Sequence, residues 1–139
     1  MKAYISVSYS KRKSIDKEIA TIIDTLNEVN ISSLVFVDEY KFDLSQEHQM
    51  MKQAMTEIEN CDLLIAETSD KGIGIGIEVG YAKAKGKSIF YLRKQDAEHS
   101  TTVSGISDYQ IIYSETKDLQ YQLVSTLKKL IHITRGYIK

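Results

Sequence analysis

Short apolar segments alternate along this chain with segments of helical periodicity, and this alternation limits the folds open to it. Short apolar runs are typical of buried strands, whereas apolar residues three and four positions apart indicate one face of a helix. The predicted strands are Ala3–Val7, Leu34–Val37, Leu63–Thr68, Ser88–Leu92 and Gln110–Tyr113. The predicted helices are Ser14–Val29, Ser45–Asn60, Ile77–Lys85 and Leu119–Ile133. We interpret the order as a βα unit repeated five times, with the polar, irregular stretch Arg93–Ser107 in the fourth connection.

Strands that alternate with helices form a parallel sheet with helices on both faces and right-handed crossovers. The sequence therefore predicts a flavodoxin-like three-layer α/β/α sandwich with a five-stranded parallel sheet in the order 2-1-3-4-5. Residues 1–139 contain no proline and no linker-like segment, so we expect a single domain. In such a sheet a ligand binds beyond the carboxyl ends of the strands, where the order reverses between strands 1 and 3. The loops Ser8–Lys13 and Ser69–Gly76 should meet at that point.

The composition argues against several classes of function. A formal net charge of −1 gives no broad basic surface for nucleic acid or for a membrane. Apolar runs such as Leu63–Ala66 are far shorter than the about 20 residues that a bilayer requires, and the N-terminus lacks the apolar core of a signal peptide. The lone cysteine, Cys61, precedes an apolar strand and fits a buried position in a cytoplasmic protein. No Cys or His spacing is typical of a metal site, so we expect no metal.

Three glycines at alternate positions precede a single carboxylate in the connection after the third strand. They are Gly72, Gly74 and Gly76, and the carboxylate is Glu78 at the start of the next predicted helix. Glycine lets the backbone approach a ligand closely because no Cβ stands in the way. Glu78 is either a charge that stabilises the helix start or a reactive group beside a ligand, and free helix N–H groups should keep it ionised. An ionised, oriented carboxylate is the nucleophile of retaining glycoside hydrolases.

The connection after the first strand, within SVSYSKRK, combines hydroxyl groups with cations. Hydroxyls, backbone N–H groups and Arg or Lys side chains are the usual ligands of phosphate. This connection is therefore either a phosphate- or sugar-binding loop or a solvated basic turn that caps the following helix. The residues in question are Ser6, Ser8, Ser10, Lys11, Arg12 and Lys13.

The glycines do not fit other known phosphate-binding patterns. A dinucleotide fingerprint follows the first strand of its unit and has an acid about 20 residues later, whereas these glycines follow the third strand. A Walker A loop requires Gly-Lys-Ser or Gly-Lys-Thr after its glycines, and none follows here. The segments SVSYS and AETS also lack the acidic residues that a receiver domain needs.

Three motifs of the chain resemble the nucleoside 2-deoxyribosyltransferase superfamily, which includes the 2′-deoxynucleoside 5′-monophosphate N-glycosidases. They are YISVS, CDLLIAETS and GIGIGIEVGYAKAKGKSIFYL. The resemblance follows nearly the whole chain in its order of elements and is specific in residues from Cys61 to Leu92. It implies that a glutamate attacks the anomeric carbon of a sugar. The glycosyl-enzyme intermediate then passes to water or to another base.

The resemblance also assigns roles to individual residues. It implies no cofactor, and it implies homodimers or larger homo-oligomers in which a neighbouring subunit completes the pocket. The stretch Ser100–Ser104 is the candidate for that exchange. The matching residues are Glu78 for the nucleophile, Tyr4 and Ser8 for contacts with sugar and phosphate, and Gly74 and Gly76 for the loop glycines.

Two positions depart from the family pattern. Gly72 stands where the family has a serine that helps to hold the 5′-phosphate. Ala54 stands where the hydrolases of the family have an aspartate, whose absence affects protonation of the departing base. Gln53 and Glu57 lie close to this position in sequence. A second carboxylate from Glu47, Glu57 or Glu67 would restore the missing acid.

These observations lead to a hypothesis of N-glycosidic bond cleavage or base transfer on a nucleoside or nucleoside 5′-monophosphate. The predicted site consists of Glu78 as catalytic residue and of Tyr4, Ser6, Ser8, Arg12, Gly72, Gly74 and Gly76 as substrate-binding residues. The alternative is a nucleotide-binding or NAD-cleaving signalling module similar to TIR domains. Those domains share an early Y-x-S-x-S-type strand and a third strand resembling CDLLIAETS.

Overall fold

The computed structural model describes residues 1–138 and the side chains of residues 1–136, so residue 139 of the predicted domain lies outside the described residues. The strands are β1 Lys2–Val7, β2 Ser32–Val35, β3 Leu63–Glu67, β4 Ser88–Lys94 and β5 Tyr109–Tyr113. The helices are α1 Asp16–Glu28, α2 Phe36–Glu39, α3 Glu47–Glu59, α4 Ile73–Ala84, α5 Thr101–Gly105 and α6 Thr116–Ile138. None of these helices is both long enough and apolar enough to cross a membrane.

The strands form one parallel sheet in the order β2-β1-β3-β4-β5, with helices on both faces. This confirms the predicted flavodoxin-like fold and strand order. The order reverses between β1 and β3, so the connections that leave these two strands emerge side by side at the carboxyl edge of the sheet.

Alternation of side chains along the strands divides the core into two layers. Ala3 and Ile5 pack in one layer with apolar residues of α1 and α6, whereas Tyr4 packs in the other layer with residues of α3 and α4. The same parity holds in β3, where Leu64 and Ala66 lie in the layer of Tyr4. Residues of even number in β1 and β3 therefore face α3 and α4, and residues of odd number face α1 and α6.

Two predicted boundaries in the outer parts of the sheet are wrong. β2 ends at Val35, two residues earlier than predicted, because Phe36 begins a short helix and stacks on Tyr4 with ring centroids 6.0 Å apart. The stretch predicted as irregular contains the end of β4 and the short helix α5. The Ser100 hydroxyl caps α5 by accepting a hydrogen bond from the Val103 N–H at 3.3 Å, and Val103 is buried beneath.

Gly86 ends the helix that precedes β4, as the sequence predicts. Its φ of +76° lies in the left-handed region, which residues with a Cβ adopt at a cost. In this conformation the Gly86 N–H donates to the Lys83 carbonyl and the Lys87 N–H donates to the Ala82 carbonyl, both at 3.0 Å. The last turn of α4 thus has its free carbonyls satisfied before β4 begins.

Substituting Gly86→Ala should lower the free energy of unfolding by about 1 kcal/mol, because alanine is strained at this φ. The matched control is Gly80→Ala, inside α4, where an added Cβ meets no atom within 4 Å. Alanine there should raise the free energy of unfolding by about 0.5–1 kcal/mol through helix propensity. Urea denaturation of the three proteins measures both effects, and equal shifts in one direction would contradict the assignment.

Candidate active site

The site is centred on Glu78, the sixth residue of α4. Its carboxylate accepts hydrogen bonds from the Tyr4 hydroxyl and, at 3.1 Å, from the Ser6 hydroxyl. Tyr4 and Ser6 are two residues apart in β1, so both side chains point to the face that α4 covers. Both are buried, with 0% and 1% of their surface exposed, while Glu78 stays partly accessible. The structure therefore brings three of the predicted site residues into direct contact.

The helix that carries Glu78 begins four residues earlier than predicted, at Ile73. Gly72 is its extended N-cap residue, and Gly74 and Gly76 lie in its first turns rather than in a loop. The helix starts early because Ile75 and Val79, four positions apart, both pack into the core. Glu78 consequently lies in the second turn and points toward the sheet. Its hydrogen-bond partners among the described residues are hydroxyls and not helix N–H groups.

Burial raises the pKa of the Glu78 carboxyl to about 8. Among the described residues no charged neighbour contributes to this shift, so the low polarity of the surroundings is the whole cause. The prediction that helix N–H groups keep this carboxylate ionised at neutral pH is therefore wrong. The protonated form predominates at pH 7, and the ionised form becomes the major one above pH 8.

The two predicted loops do meet beside this carboxylate. A Cβ added to Gly72 would lie 3.9 Å from the Cβ of Ser8, so the first loop lies close to the start of α4. Ser8 is mostly buried, and its hydroxyl lies 3.2 Å from that of Ser10. The short distance between Ser8 and Gly72 confirms that the switch point of the sheet brings the first loop and the glycine segment together.

Arg12 has two carboxylate partners of its own. Its guanidinium donates to Asp38 through Nε at 3.0 Å and through Nη2 at 2.8 Å, and to Asp16 through Nη1 at 2.7 Å. These bonds engage all three nitrogen atoms of the planar guanidinium and join the start of α1 to α2. The predicted role of Arg12 as a substrate ligand thus competes with a structural role, in which it holds the segment that includes Phe36 against Tyr4.

The candidate second carboxylates are held elsewhere. Glu57 accepts from the Tyr40 hydroxyl at 2.6 Å and from the Gln53 amide at 3.0 Å, and it pairs with Lys2 at 3.8 Å. Lys2 begins β1, so Glu57 lies toward the amino edge of the sheet, away from the switch point. Ala54 is buried in the core layer that contains Tyr4.

Glu67 lies on the opposite face of the sheet from Glu78. It has odd number in β3, and its carboxylate accepts from the Tyr113 hydroxyl and from the Ser69 N–H, both at 2.6 Å. Burial raises the pKa of the Glu67 carboxyl. Its contacts anchor the loop that leads into α4, and the sheet separates it from Tyr4 and Ser6. The remaining candidate, Glu47, is an exposed residue at the start of α3.

An open cleft of about 430 Å³ lies on the other flank of α4. Two predicted substrate-binding residues, Gly72 and Gly76, line it. Glu78, two residues after Gly76, projects about 200° away from it around the helix axis. Contacts farther along α4 agree, since Tyr81 on the flank of Glu78 donates to Glu59 at the end of α3. On the flank of Gly76, Lys83 pairs with Asp108 before β5 at 3.0 Å.

The polar residues that line this cleft are absent from the predicted site. They are Thr68, Lys71, Ser100 and Thr102. Lys71 pairs with Glu98 at 2.8 Å across the opening. The Ser/Thr density around Ser100 was the available signal, but only the fold places it opposite the glycine segment. Within the described residues, no three His, Cys, Asp or Glu side chains are grouped so that they would hold a metal ion.

Comparison with known proteins decides the family. Residues 6–127 match the profile described as nucleoside 2-deoxyribosyltransferase, which is most of the chain. The chain belongs to this family. The matched region includes Ser6, the first loop and the whole of α4, and thus most of the site around Glu78. No curated protein matches the chain significantly in sequence.

Solved structures of similar fold include enzymes of nucleoside and nucleotide chemistry. The CMP N-glycosidase of Clostridium botulinum is 25% identical, and the match covers 88% of this chain and 98% of that one with a TM-score of 0.61. The 2-deoxyribosyltransferase of Bacillus psychrosaccharolyticus is 13% identical, with coverage of 86% and 90% and a TM-score of 0.66. That of Leishmania mexicana is 16% identical, with coverage of 81% and 74% and a TM-score of 0.56. The last two similarities show the fold alone.

The raised pKa of Glu78 makes the stability of this family member depend on pH. Between about pH 5 and pH 8 the folded protein keeps a proton on Glu78 that the unfolded chain has lost, so stability falls as pH rises. Glu78→Gln removes this dependence. The free energy of unfolding of the wild type, minus that of Glu78→Gln, should therefore decrease from pH 5 to pH 8 and then level off. Denaturation at several pH values measures it, and a constant difference would indicate an ordinary pKa.

Proposed function

We propose that this protein cleaves the N-glycosidic bond of a nucleoside or nucleoside 5′-monophosphate, with Glu78 as the nucleophile. The observation that carries the proposal is the contact of the Glu78 carboxylate with Tyr4 and Ser6 at the switch point of the sheet. The family and the similarity to a CMP N-glycosidase support the general reaction. The glycosyl group passes to water or to a second base.

The two hydroxyl donors orient the nucleophile. They hold one carboxylate oxygen each, so the carboxyl plane is fixed before a substrate arrives. The apolar surroundings leave the ionised carboxylate poorly solvated, and an anion with little hydration to lose attacks carbon more readily. Glu78 attacks the anomeric carbon, the bond to the base breaks, and a glycosyl ester forms on the enzyme.

The neighbouring residues position the rest of the substrate in this proposal. Ser8 and Gly72, which lie close together, bound the space beside Glu78 and contact the sugar or a 5′-phosphate. Gly74 leaves open space at the start of α4, where an added Cβ would meet nothing within 4 Å. Arg12 contributes through its bonds to Asp38 and Asp16, which hold the first loop in place.

Assembly and location complete the proposal. We propose a homodimer or larger homo-oligomer in which Ser100–Ser104 of one subunit approaches the site of the next. This stretch forms a wall of the open cleft beside α4. A cytoplasmic location follows from the lone buried cysteine and remains a prediction.

Glu78→Gln should lower the rate of base release by more than about a thousandfold, because the amide cannot form the glycosyl ester. The matched control is Glu28→Gln, which changes an exposed carboxylate at the end of α1, on the amino side of the sheet. Both variants are incubated with deoxynucleosides plus an acceptor base, with nucleoside monophosphates and with NAD, and products are separated by chromatography. Equal rates for both would exclude Glu78 as nucleophile. Binding without release of any base by the wild type would favour a nucleotide-binding module.

The pH dependence of kcat/KM should follow the ionisation of Glu78. Activity rises with pH through a midpoint near pH 8 and then levels off, because only the ionised carboxylate attacks. Tyr4→Phe removes a hydrogen bond to the charged form, which raises the pKa further and moves the rise to higher pH. Initial rates over a pH series in both proteins test this expectation. An unshifted profile in Tyr4→Phe would contradict it.

A further inference from the structure

Among the described residues the Glu78 carboxyl takes part in no ion pair. Its recorded hydrogen-bond partners are two hydroxyls, and burial alone accounts for its raised pKa. Glu57 lies toward the amino edge of the sheet, where it pairs with Lys2, and Glu67 lies on the opposite face of the sheet, where it accepts from the Tyr113 hydroxyl. The site as described therefore contains a nucleophile but no carboxylic acid close to it.

The carboxyls that could serve as a second acid are bound to partners elsewhere. Glu57 in α3 accepts hydrogen bonds from Tyr40 and Gln53. Glu67 accepts hydrogen bonds from Tyr113 and Ser69 on the opposite face of the sheet. Asp38 forms a two-point pair with Arg12. None of the three is free to give a proton to a group that departs from a sugar beside Glu78.

This arrangement restricts the leaving groups that the site can expel. A neutral purine or pyrimidine departs as an anion unless an acid protonates it, and a general acid contributes about 10²–10⁴-fold to such a step. A base that carries a positive charge on its ring departs as a neutral molecule and needs no proton. The absence of an acid beside Glu78 therefore penalises neutral bases and leaves cationic bases unaffected.

The charge of the site favours the same substrates. A buried carboxyl without a cationic neighbour is held mainly in its neutral form, and a positive charge within about 4–6 Å shifts it to the ionised form. The most buried cation of the first loop, Arg12, does not supply that charge, because its guanidinium is already paired with the carboxylates of Asp38 and Asp16. A cationic base would thus bring the missing positive charge and activate the nucleophile as it binds.

We propose that the preferred substrates are N-glycosides of cationic bases, such as nucleotides with a pyridinium or an N7-alkylated purine base. This inference rests on the proposed function and names its substrate class. Glu78 forms a bond to the anomeric carbon while the carbon–nitrogen bond breaks. The electron pair of the broken bond stays with the departing base and neutralises its ring. Water then attacks the anomeric carbon, Glu78 leaves as a carboxylate, and the proton of the water passes to solvent.

The test compares two substrates that differ in charge and hardly in shape, 7-methylguanosine 5′-monophosphate and guanosine 5′-monophosphate. We expect kcat/KM of the wild-type protein to be at least about 10²-fold higher for the methylated nucleotide, the share that a general acid would otherwise supply. Nicotinamide mononucleotide and CMP form a second pair, chosen because the similar enzyme of Clostridium botulinum is named for CMP, a nucleotide with a neutral base. A ratio below about tenfold in both pairs would overturn the proposal.

Two variants separate this inference from its alternatives. Glu57→Gln should leave the ratio between the methylated and unmethylated nucleotides unchanged. A selective loss of activity on the unmethylated one would identify Glu57 as an acid and overturn the proposal. Glu78→Gln should abolish activity on both. Release of neutral and cationic bases at equal rates overturns the inference and leaves the proposed function intact. Release of no base from any substrate overturns both.

Discussion

The contact between the Glu78 carboxylate and the hydroxyls of Tyr4 and Ser6 is the interaction on which the site depends. It joins the strand at the switch point to a helix more than 70 residues later in the chain. Three conditions must hold together for it to form. β1 must lie beside β3, residues 4 and 6 must face α4, and α4 must begin early enough for Glu78 to lie in its second turn. The fold satisfies them through strand order, side-chain parity and the inward packing of Ile75 and Val79.

A second set of bonds holds the chain where it leaves β3 toward α4. The Thr68 N–H and hydroxyl both donate to the Leu92 carbonyl, at 2.7 and 2.9 Å. Ser69 accepts from the Lys94 N–H at 2.8 Å through its hydroxyl and donates its own N–H to Glu67. The chain therefore leaves β3 tied to β4 and, through Glu67 and Tyr113, to β5. A buried carboxylate is costly unless its oxygens are paired, and here both oxygens of Glu67 accept a bond.

The sequence predicts the sheet well because its signals are local and repeated. Each buried strand is a short apolar run, and the parallel arrangement follows from the alternation with helices. The start of α4 was harder to predict, since glycines at positions 72, 74 and 76 fit a loop as readily as a first helical turn. Only the packing of Ile75 against the sheet decides between them. The short helix α5 was hidden for a similar reason, because most of its residues are polar and its stability comes from the Ser100 cap and buried Val103.

The electrostatics of the site could not be predicted because they depend on distant residues. The partner of Arg12, Asp38, is 26 residues away in sequence, and the hydroxyls that meet Glu78 are more than 70 residues away. Local reasoning placed Glu78 among helix N–H groups and so gave its pKa the wrong direction. In the structure the carboxyl is surrounded by the core layer of Tyr4, where desolvation dominates. Candidate residues were thus visible in the sequence, whereas their protonation states required the fold.

The position of Tyr4 has a consequence for how such a protein diversifies. The residue is fully buried in a strand with neighbours on both sides, and its ring packs on Phe36 while its hydroxyl holds Glu78. A substitution that removes the ring disturbs both the core packing and the hydrogen bond to Glu78, so it affects stability and chemistry together. Exposed positions in the connections that bound the rest of the site, such as Lys71 and Thr102, take no comparable part in core packing. New substrate preferences can arise in these connections at little cost in stability, around a reactive centre that the core of the protein keeps fixed.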